Sequence, residues 1–204
     1  MARLHLRQSR PDRVGRVLHV TPENAGWQYV GFDLYRLAPG ESASASTEDR
    51  EVCLVIVSGR ATVSAGETDF GTVGERMSPF EGKPFAVYVP AGSGWRATAE
   101  TNLELAVCSA PGIAGSHPPR MMRPADFSVT TRGKGSNTRY VTDILPETQP
   151  ADGLLVVEVR TPAGHASSYP PHKHDQDNLP HESLLEETYY HRINPPQGFA
   201  FQRV

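Results

Sequence analysis

The chain has 204 residues and a formal net charge of −3 at pH 7, with both signs of charge spread along its length. This length suffices for one large or two small domains. The sequence contains no basic block, no long apolar run and no signal peptide, so we expect a cytoplasmic protein that binds neither nucleic acid nor membrane.

Short β-rich segments separated by Gly and Pro turns fill the first half of the chain. Residues 27–37 are predicted to form a strand that ends at Pro39-Gly40, and residues 41–50 form a loop or an edge strand. Residues 51–66 contain two β-rich runs that meet at Ser58-Gly59, which is a hairpin signal. Further strands are predicted near residues 68–70, 85–89 and 103–109. This spacing predicts an all-β barrel or sandwich.

The two cysteines, Cys53 and Cys108, lie in apolar runs that have the composition of strands. Free cysteine is among the most buried residue types. We therefore interpret both as buried thiols of a protein from a reducing compartment, because this pattern does not resemble a secreted disulfide framework.

The second half repeats the order of the first. An apolar strand and turn at residues 153–164 resemble residues 32–40, and each is followed by a polar loop and a glutamate that begins a strand. We interpret this as an internal duplication. It predicts an N-terminal domain at 1–110, a connection at 111–145 and a C-terminal domain at 146–204, with late strands at 188–193 and 199–204.

The strongest chemical signal is the pair His172 and His174. Pro170 and Pro171 disfavour a helix here, and on an extended segment residues i and i+2 point to the same side. A carboxylate from the next strand, Glu186 or Glu187, can complete a three-ligand site for a divalent metal, for which Zn, Mn and Fe are all suitable.

Only the second half carries this metal pattern. Where the second half has the two histidines, the first half has Ser and Thr at residues 44–47. The glutamate that is predicted to bind the metal is expected to correspond to Glu51 in the first half, and Glu51 has no histidine partners there.

Two such β units resemble a bicupin, an all-β fold of two jelly-roll barrels. The segments HKHD at residues 172–175 and EETYYHRINPPQGF at residues 186–199 are similar to the 5-deoxy-glucuronate isomerase family of myo-inositol catabolism. That family is related to the 4-deoxy-threo-hexosulose-uronate ketol-isomerases. The similarity extends over essentially the whole chain.

The resemblance implies a metal-dependent aldose–ketose isomerase that converts 5-deoxy-glucuronate to 5-dehydro-2-deoxy-gluconate. It implies His172, His174 and Glu187 as metal ligands, with Tyr189 on the same inward face as Glu187 and close to the substrate. An arginine should bind the uronate carboxylate, and Arg139 is favoured because the alternative, Arg192, has outward parity. The catalytic base is not assigned.

The family also has a later histidine as fourth ligand, and its members continue beyond the position of Val204. We therefore expect a C-terminally truncated chain with an incomplete second barrel, whose own activity is in doubt. The open sheet edge of such a barrel favours a homo-oligomer.

Two other function classes are compatible with the residues alone. One is a non-catalytic cupin that binds a small ligand, because the first half keeps the fold pattern without histidines. The other is a cupin dioxygenase that holds iron by two histidines and one glutamate.

Overall fold

The computed structural model describes residues 5–168, 171 and 173–203. Its fold is almost entirely β, as predicted. The strands in the described residues are β1 (Arg16–Val20), β2 (Gly31–Leu37), β3 (Ser42–Ser46), β4 (Arg50–Ser58), β5 (Ala61–Ala65), β6 (Thr68–Val73), β7 (Phe85–Val89), β8 (Gly94–Ala99), β9 (Leu103–Pro111), β10 (Arg120–Met122), β11 (Val129–Arg132), β12 (Arg139–Leu145) and β13 (Val156–Arg160). One short helix, α1 (Pro22–Ala25), lies between β1 and β2, and 3-10 turns lie at Pro124–Asp126 and Gly135–Asn137.

The first ten strands form two facing antiparallel sheets. The larger sheet has the order β1-β2-β9-β4-β7-β10, and the smaller has the order β3-β8-β5-β6. From β2 to β5 and from β6 to β9, consecutive strands alternate between the two sheets, as in a double-sheet jelly roll, which is the architecture of a cupin barrel. The segment predicted as a loop or edge strand contains β3, which is the edge of the smaller sheet.

Strand β4 is buried on both faces, which explains its nearly continuous apolar sequence. Val52, Leu54 and Ile56 point into the inner core between the two sheets. Cys53 and Val55, on the alternate positions, point into an outer core on the other face of the larger sheet. A strand with alternating residues in two cores cannot show an apolar–polar alternation.

The outer core is where the second unit packs. Strands β11, β12 and β13 form a separate antiparallel sheet. Ile144, Leu145 and Val156 of this sheet, together with Leu154, pack against Phe32 and the other outward residues of the larger sheet. The two units therefore share one apolar interface.

The connection predicted at residues 111–145 contains strands of its own. β10 pairs with β7 of the jelly roll, whereas β11 and β12 pair with each other and with β13. The domain limits at 110 and 145 stay a prediction, but the sheets do not follow them.

The late strands are a different case. The structure has no strand at residues 188–193 or at residues 199–203, and Val204 lies outside the described residues. A strand is stabilised by its neighbours, and no described segment pairs with these residues. No helix in the described part of the chain is long and apolar enough to cross a membrane.

Candidate active site

The segment from Glu186 to Arg192 is not a strand, yet its side chains alternate between two environments. Three even-numbered side chains, those of Glu186, Tyr190 and Arg192, contact the N-terminal unit. The Glu104 carboxylate accepts hydrogen bonds from the Tyr190 hydroxyl, at 2.8 Å, and from the Arg192 guanidinium. The Tyr190 ring also lies 6.0 Å from the ring of Phe32, measured between centroids.

The odd-numbered side chains contact one another instead. The Tyr189 hydroxyl donates a hydrogen bond of 2.9 Å to the Glu187 carboxylate. The rings of Tyr189 and His191 are stacked, with centroids 6.1 Å apart and planes 8° from parallel. Glu187, Tyr189 and His191 therefore share one side of the segment, as the predicted parity requires. Tyr189 is half exposed, so it is not a residue of either core.

The Tyr189 hydroxyl is a hydrogen-bond donor rather than a base at neutral pH. Burial, the hydrogen bond to Glu187 and the charge of that carboxylate raise the pKa of Tyr189 to about 12. The hydroxyl therefore keeps its proton and can present it to Glu187 or to a bound oxygen.

Glu186 binds the main chain of the other unit. Its carboxylate accepts hydrogen bonds from the backbone amides of Gln28, Tyr29 and Val30, at 2.7, 2.7 and 2.9 Å. Burial raises the pKa of Glu186, but these amides and the charge of Arg50 outweigh it, so the net shift is downward. The predicted strand at residues 27–37 accordingly begins only at Gly31, because the amides before it bind this carboxylate.

Glu51 of the N-terminal unit makes an equivalent contact with the backbone of the second unit. Its carboxylate is fully buried and accepts hydrogen bonds from the backbone amides of Asp152, Gly153 and Leu154, at 2.8, 2.7 and 2.6 Å. The Tyr88 hydroxyl donates a fourth bond of 2.8 Å. The two contacts are thus reciprocal. Glu186 of the second unit binds three amides just before β2, and Glu51 of the first unit binds three amides just before β13.

This reciprocity corrects the expected pairing of Glu51 with the metal glutamate. Glu51 points out of the jelly roll, so its counterpart is Glu186. The counterpart of Glu187 is then Val52, which lies in the inner core of the first barrel. At the position that corresponds to the expected metal glutamate, the first unit therefore has a valine in a packed apolar interior.

His174 lies beside the segment that carries the glutamates. Its Nδ1 atom is 3.0 Å from the backbone carbonyl oxygen of Ser183. Its own carbonyl accepts a hydrogen bond of 3.2 Å from the backbone amide of Leu185. That a carboxylate of the following segment meets the histidine pair stays a prediction. His172 lies outside the described residues.

Comparison with known proteins identifies the family. The family model described as KduI/IolB matches residues 4–204. The chain belongs to the KduI/IolB family. The protein named 5-deoxy-glucuronate isomerase from Geobacillus kaustophilus is 53% identical, and the alignment covers 100% of this chain and 74% of that protein. Its namesake from Bacillus subtilis strain 168 is 45% identical, with 92% of this chain and 70% of that protein covered.

A solved structure of the same family has the same fold. The IolB-like protein from Salmonella typhimurium superposes with a TM-score of 0.88 at 53% identity, covering 92% of this chain and 72% of that chain. The two units described above are therefore found in an experimentally determined KduI/IolB relative.

Two arginines were considered for a substrate carboxylate, and they have different surroundings in this KduI/IolB chain. Arg192 binds Glu104, and although its burial opposes the charge, that carboxylate raises the pKa of Arg192. Arg139, at the start of β12, donates to the carbonyl oxygen and side-chain oxygen of Asn137, at 3.2 and 3.4 Å. No ion pair joins Arg139 to a described carboxylate, nor does any described hydrogen bond join it to Glu187 or Tyr189.

Sequence reasoning missed the roles of Glu104 and Glu186. Glu104 is 7% exposed and lies in the apolar run of β9, where an acidic residue is unexpected unless it has partners. An acidic residue within an apolar strand was therefore the sequence signal that Glu104 has buried partners. Glu186 gave no comparable signal, because its amide partners are far away in the sequence.

The donor types in this part of the KduI/IolB chain fit a divalent metal. A histidine whose Nδ1 bonds a backbone carbonyl has its tautomer and ring orientation fixed, as is usual for a ligating histidine. Glu186 is committed to backbone amides, which leaves Glu187 as the carboxylate on the other side of the segment. Among the described residues, which do not include His172, no three potential ligands converge closely enough to form a site.

Proposed function

We propose that this chain is an aldose–ketose isomerase that acts on 5-deoxy-glucuronate and produces 5-dehydro-2-deoxy-gluconate with the help of a divalent metal. The observation that carries the proposal is the similarity over the whole chain, at 53% identity, to a protein named for this isomerase activity. The alternation along the segment at residues 186–192 supports it, because it groups the expected ligand and the expected substrate contact on one side.

The reaction moves one hydrogen from C2 to C1 and one from O2 to O1, so it needs no external oxidant. A base takes the proton from C2 and a proton returns to C1, while the hydroxyl proton of O2 is lost and O1 gains one. Zn, Mn or Fe held by His172, His174 and Glu187 would polarise the substrate carbonyl as a Lewis acid. Three protein ligands of this kind leave coordination positions open for a substrate.

The chain's own residues supply binding and orientation. Tyr189 is proposed to turn its hydroxyl proton from Glu187 to a substrate oxygen; the 2.9 Å hydrogen bond between Tyr189 and that carboxylate supports this proposal. Arg139 is proposed to bind the uronate carboxylate, since its guanidinium forms no ion pair within the described residues. A planar guanidinium can bind both carboxylate oxygens at once. The protein is also proposed to be a homo-oligomer in the cytoplasm.

The proposal is tested by following 5-deoxy-glucuronate by NMR with purified protein, before and after chelation and after addition of Zn²⁺, Mn²⁺ or Fe²⁺. We expect turnover that chelation abolishes and one of these metals restores. His174→Ala and Glu187→Gln should each lower turnover by at least about 100-fold, in line with the loss of a metal ligand. Lys173→Ala is the matched control, because Lys173 lies beside His174 but bonds Glu182.

Metal-loaded protein that leaves 5-deoxy-glucuronate unchanged would contradict the substrate assignment. Turnover that persists at full rate in a rigorously metal-free sample would contradict the metal dependence alone.

A further inference from the structure

We infer that Glu186 is a positioning residue, which fixes the segment carrying Glu187 and His174 onto the N-terminal unit. The inference rests on the proposed function, because it concerns how the proposed ligands are held. It adds a role for the N-terminal unit, which contributes none of the proposed metal ligands.

The first argument is the number and origin of the hydrogen bonds. Three consecutive amides, from Gln28 to Val30, donate to the two oxygens of Glu186. A carboxylate that accepts several amide hydrogen bonds is held in one position and one orientation. These amides belong to the segment just before β2, which pairs with β1 and β9 of the larger sheet, so the contact ties the segment of Glu186 directly to the jelly roll.

The second argument is geometric. Because side chains alternate along an extended segment, fixing Glu186 toward the jelly roll directs Glu187 to the opposite side. Tyr190 repeats the anchor on the same side through Glu104. Glu187 and Tyr189 are thus presented together, and their hydrogen bond follows from this orientation.

The third argument connects the anchor to the histidine. The backbone amide of Leu185, the residue before Glu186, donates to the carbonyl oxygen of His174. Ser183 contacts the ring of the same histidine through its carbonyl oxygen. The anchored carboxylate of Glu186 therefore sets the positions of two proposed ligands, His174 and Glu187, which are 13 positions apart in the sequence.

The reciprocal contact of Glu51 provides a matched control for the contact of Glu186. Glu51 also holds three amides of the other unit, but its neighbour on the strand is Val52, a residue of the inner core. Loss of the Glu51 contact should weaken the packing of the units without changing the orientation of any proposed ligand. A general loss of stability and a loss of ligand positioning can therefore be separated.

The test compares Glu186→Gln with Glu51→Gln and with the milder Tyr88→Phe, which removes one donor to Glu51. For each folded variant, the dissociation constant for Mn²⁺ is measured by calorimetry, the melting temperature by circular dichroism, and the amide exchange of residues 28–30 by mass spectrometry without metal. For Glu186→Gln we expect faster exchange at residues 28–30 and Mn²⁺ binding weaker by about 10-fold or more. For Tyr88→Phe and Glu51→Gln we expect lower melting temperatures with Mn²⁺ binding within about twofold of the wild type.

Three results would overturn the inference. Mn²⁺ binding by Glu186→Gln equal to that of the wild type would show that Glu186 does not position the ligands, although the proposed function would stand. Equal weakening in Tyr88→Phe would show a general stability effect. A wild-type chain that binds no Mn²⁺, Zn²⁺ or Fe²⁺ would contradict the metal dependence of the proposed function, and the positioning role with it.

Discussion

Arg76 and Glu158 join the two units by a two-pronged ion pair. The guanidinium nitrogens Nη1 and Nη2 of Arg76 lie 2.9 and 2.5 Å from the two carboxylate oxygens of Glu158. The Arg76 residue is 5% exposed, and its Nε atom donates to the carbonyl oxygen of Val57 in β4. Strand β13 of the second unit is therefore fixed to β4, a central strand of the jelly roll, by one buried cation.

Replacement of Glu158 by glutamine should destabilise the protein, because it leaves the Arg76 charge buried without its counter-ion. Breaking a buried pair costs about 3–5 kcal/mol, and the partial exposure of Glu158 reduces our expectation to about 1–3 kcal/mol. Urea denaturation measures the free energy of unfolding. Glu147→Gln, at an exposed glutamate of the same unit, is the control. A change in Glu158→Gln no larger than in the control would contradict a stabilising role.

Much of the jelly roll could be predicted from the sequence because its signals are local. The strand that begins at Glu51, the turn at Ser58-Gly59 and the strand at residues 85–89 all appear in the structure. Gly59 has a φ of 98°, and a Cβ there would lie 2.3 Å from the carbonyl oxygen of Asn102, so a glycine is required at this turn. Such residues specify a turn without knowledge of the rest of the chain.

The late strands and the glutamate contacts could not be predicted in the same way. Residues 188–193 have β-rich composition, but strand formation also needs a neighbouring strand to pair with. The partners of Glu186 are about 157 positions away along the chain. Those partners decide that Glu186 binds backbone amides and that Glu187 lies on the opposite side of the segment. The sequence therefore predicts the residue types of the candidate site. The direction in which the Glu186 side chain points depends on contacts with the other unit and could not be predicted.

Replacement of Glu51 by glutamine should be among the most destabilising conservative substitutions in the chain. The carboxylate is fully buried and accepts four hydrogen bonds. The amide group of glutamine would place a donor against at least one backbone N–H, which leaves buried polar groups unsatisfied at about 1–3 kcal/mol each. We expect a loss of about 2–4 kcal/mol in the free energy of unfolding, measured in urea.

Tyr88→Phe serves as the graded comparison for Glu51→Gln. It removes a single donor and keeps the ring in the outer core, so the expected loss is about 1 kcal/mol. If Tyr88→Phe were as destabilising as Glu51→Gln, the three backbone amides would contribute nothing measurable, and the contact would not hold the units together.

The two cysteines should stay unreactive while the protein is folded. Cys53 and Cys108 face each other on β4 and β9; Cys53 is buried, as predicted, whereas Cys108 is only partly buried. Burial raises the pKa of both thiols, that of Cys108 to about 12. The reactive thiolate is therefore rare at pH 8. We expect Ellman's reagent to modify neither thiol in folded protein and both in denaturant. Rapid modification of the folded protein would contradict their burial.

The same thiols predict a loss of stability at high pH. Both pKa values are raised in the folded state, so the protonated thiols contribute their full stability below the unfolded value of 9.0. That contribution decreases as the pH rises from about 9 toward 12, because only the unfolded chain can then release the protons. Cys53→Ala/Cys108→Ser protein should show a smaller decrease in melting temperature between pH 8 and pH 10.5 than the wild type does.

Substrate affinity should separate the two candidate arginines. If Arg139 binds the uronate carboxylate through two parallel hydrogen bonds, Arg139→Lys keeps the charge but loses the planar fork. We expect KM for 5-deoxy-glucuronate to rise by about 10-fold or more, which corresponds to roughly 1.4 kcal/mol. The Mn²⁺ dissociation constant should not change, because the described hydrogen bonds of Arg139 go to Asn137 and not to His174 or Glu187.

Arg192→Lys is the matched control for Arg139→Lys. Arg192 is committed to Glu104, so its replacement should lower the melting temperature and leave KM within about twofold of the wild type. The reverse pattern, with KM raised in Arg192→Lys and unchanged in Arg139→Lys, would move the carboxylate contact to Arg192. In that case the Glu104 ion pair must open when the substrate binds, and Glu104→Gln should then lower KM by releasing the guanidinium.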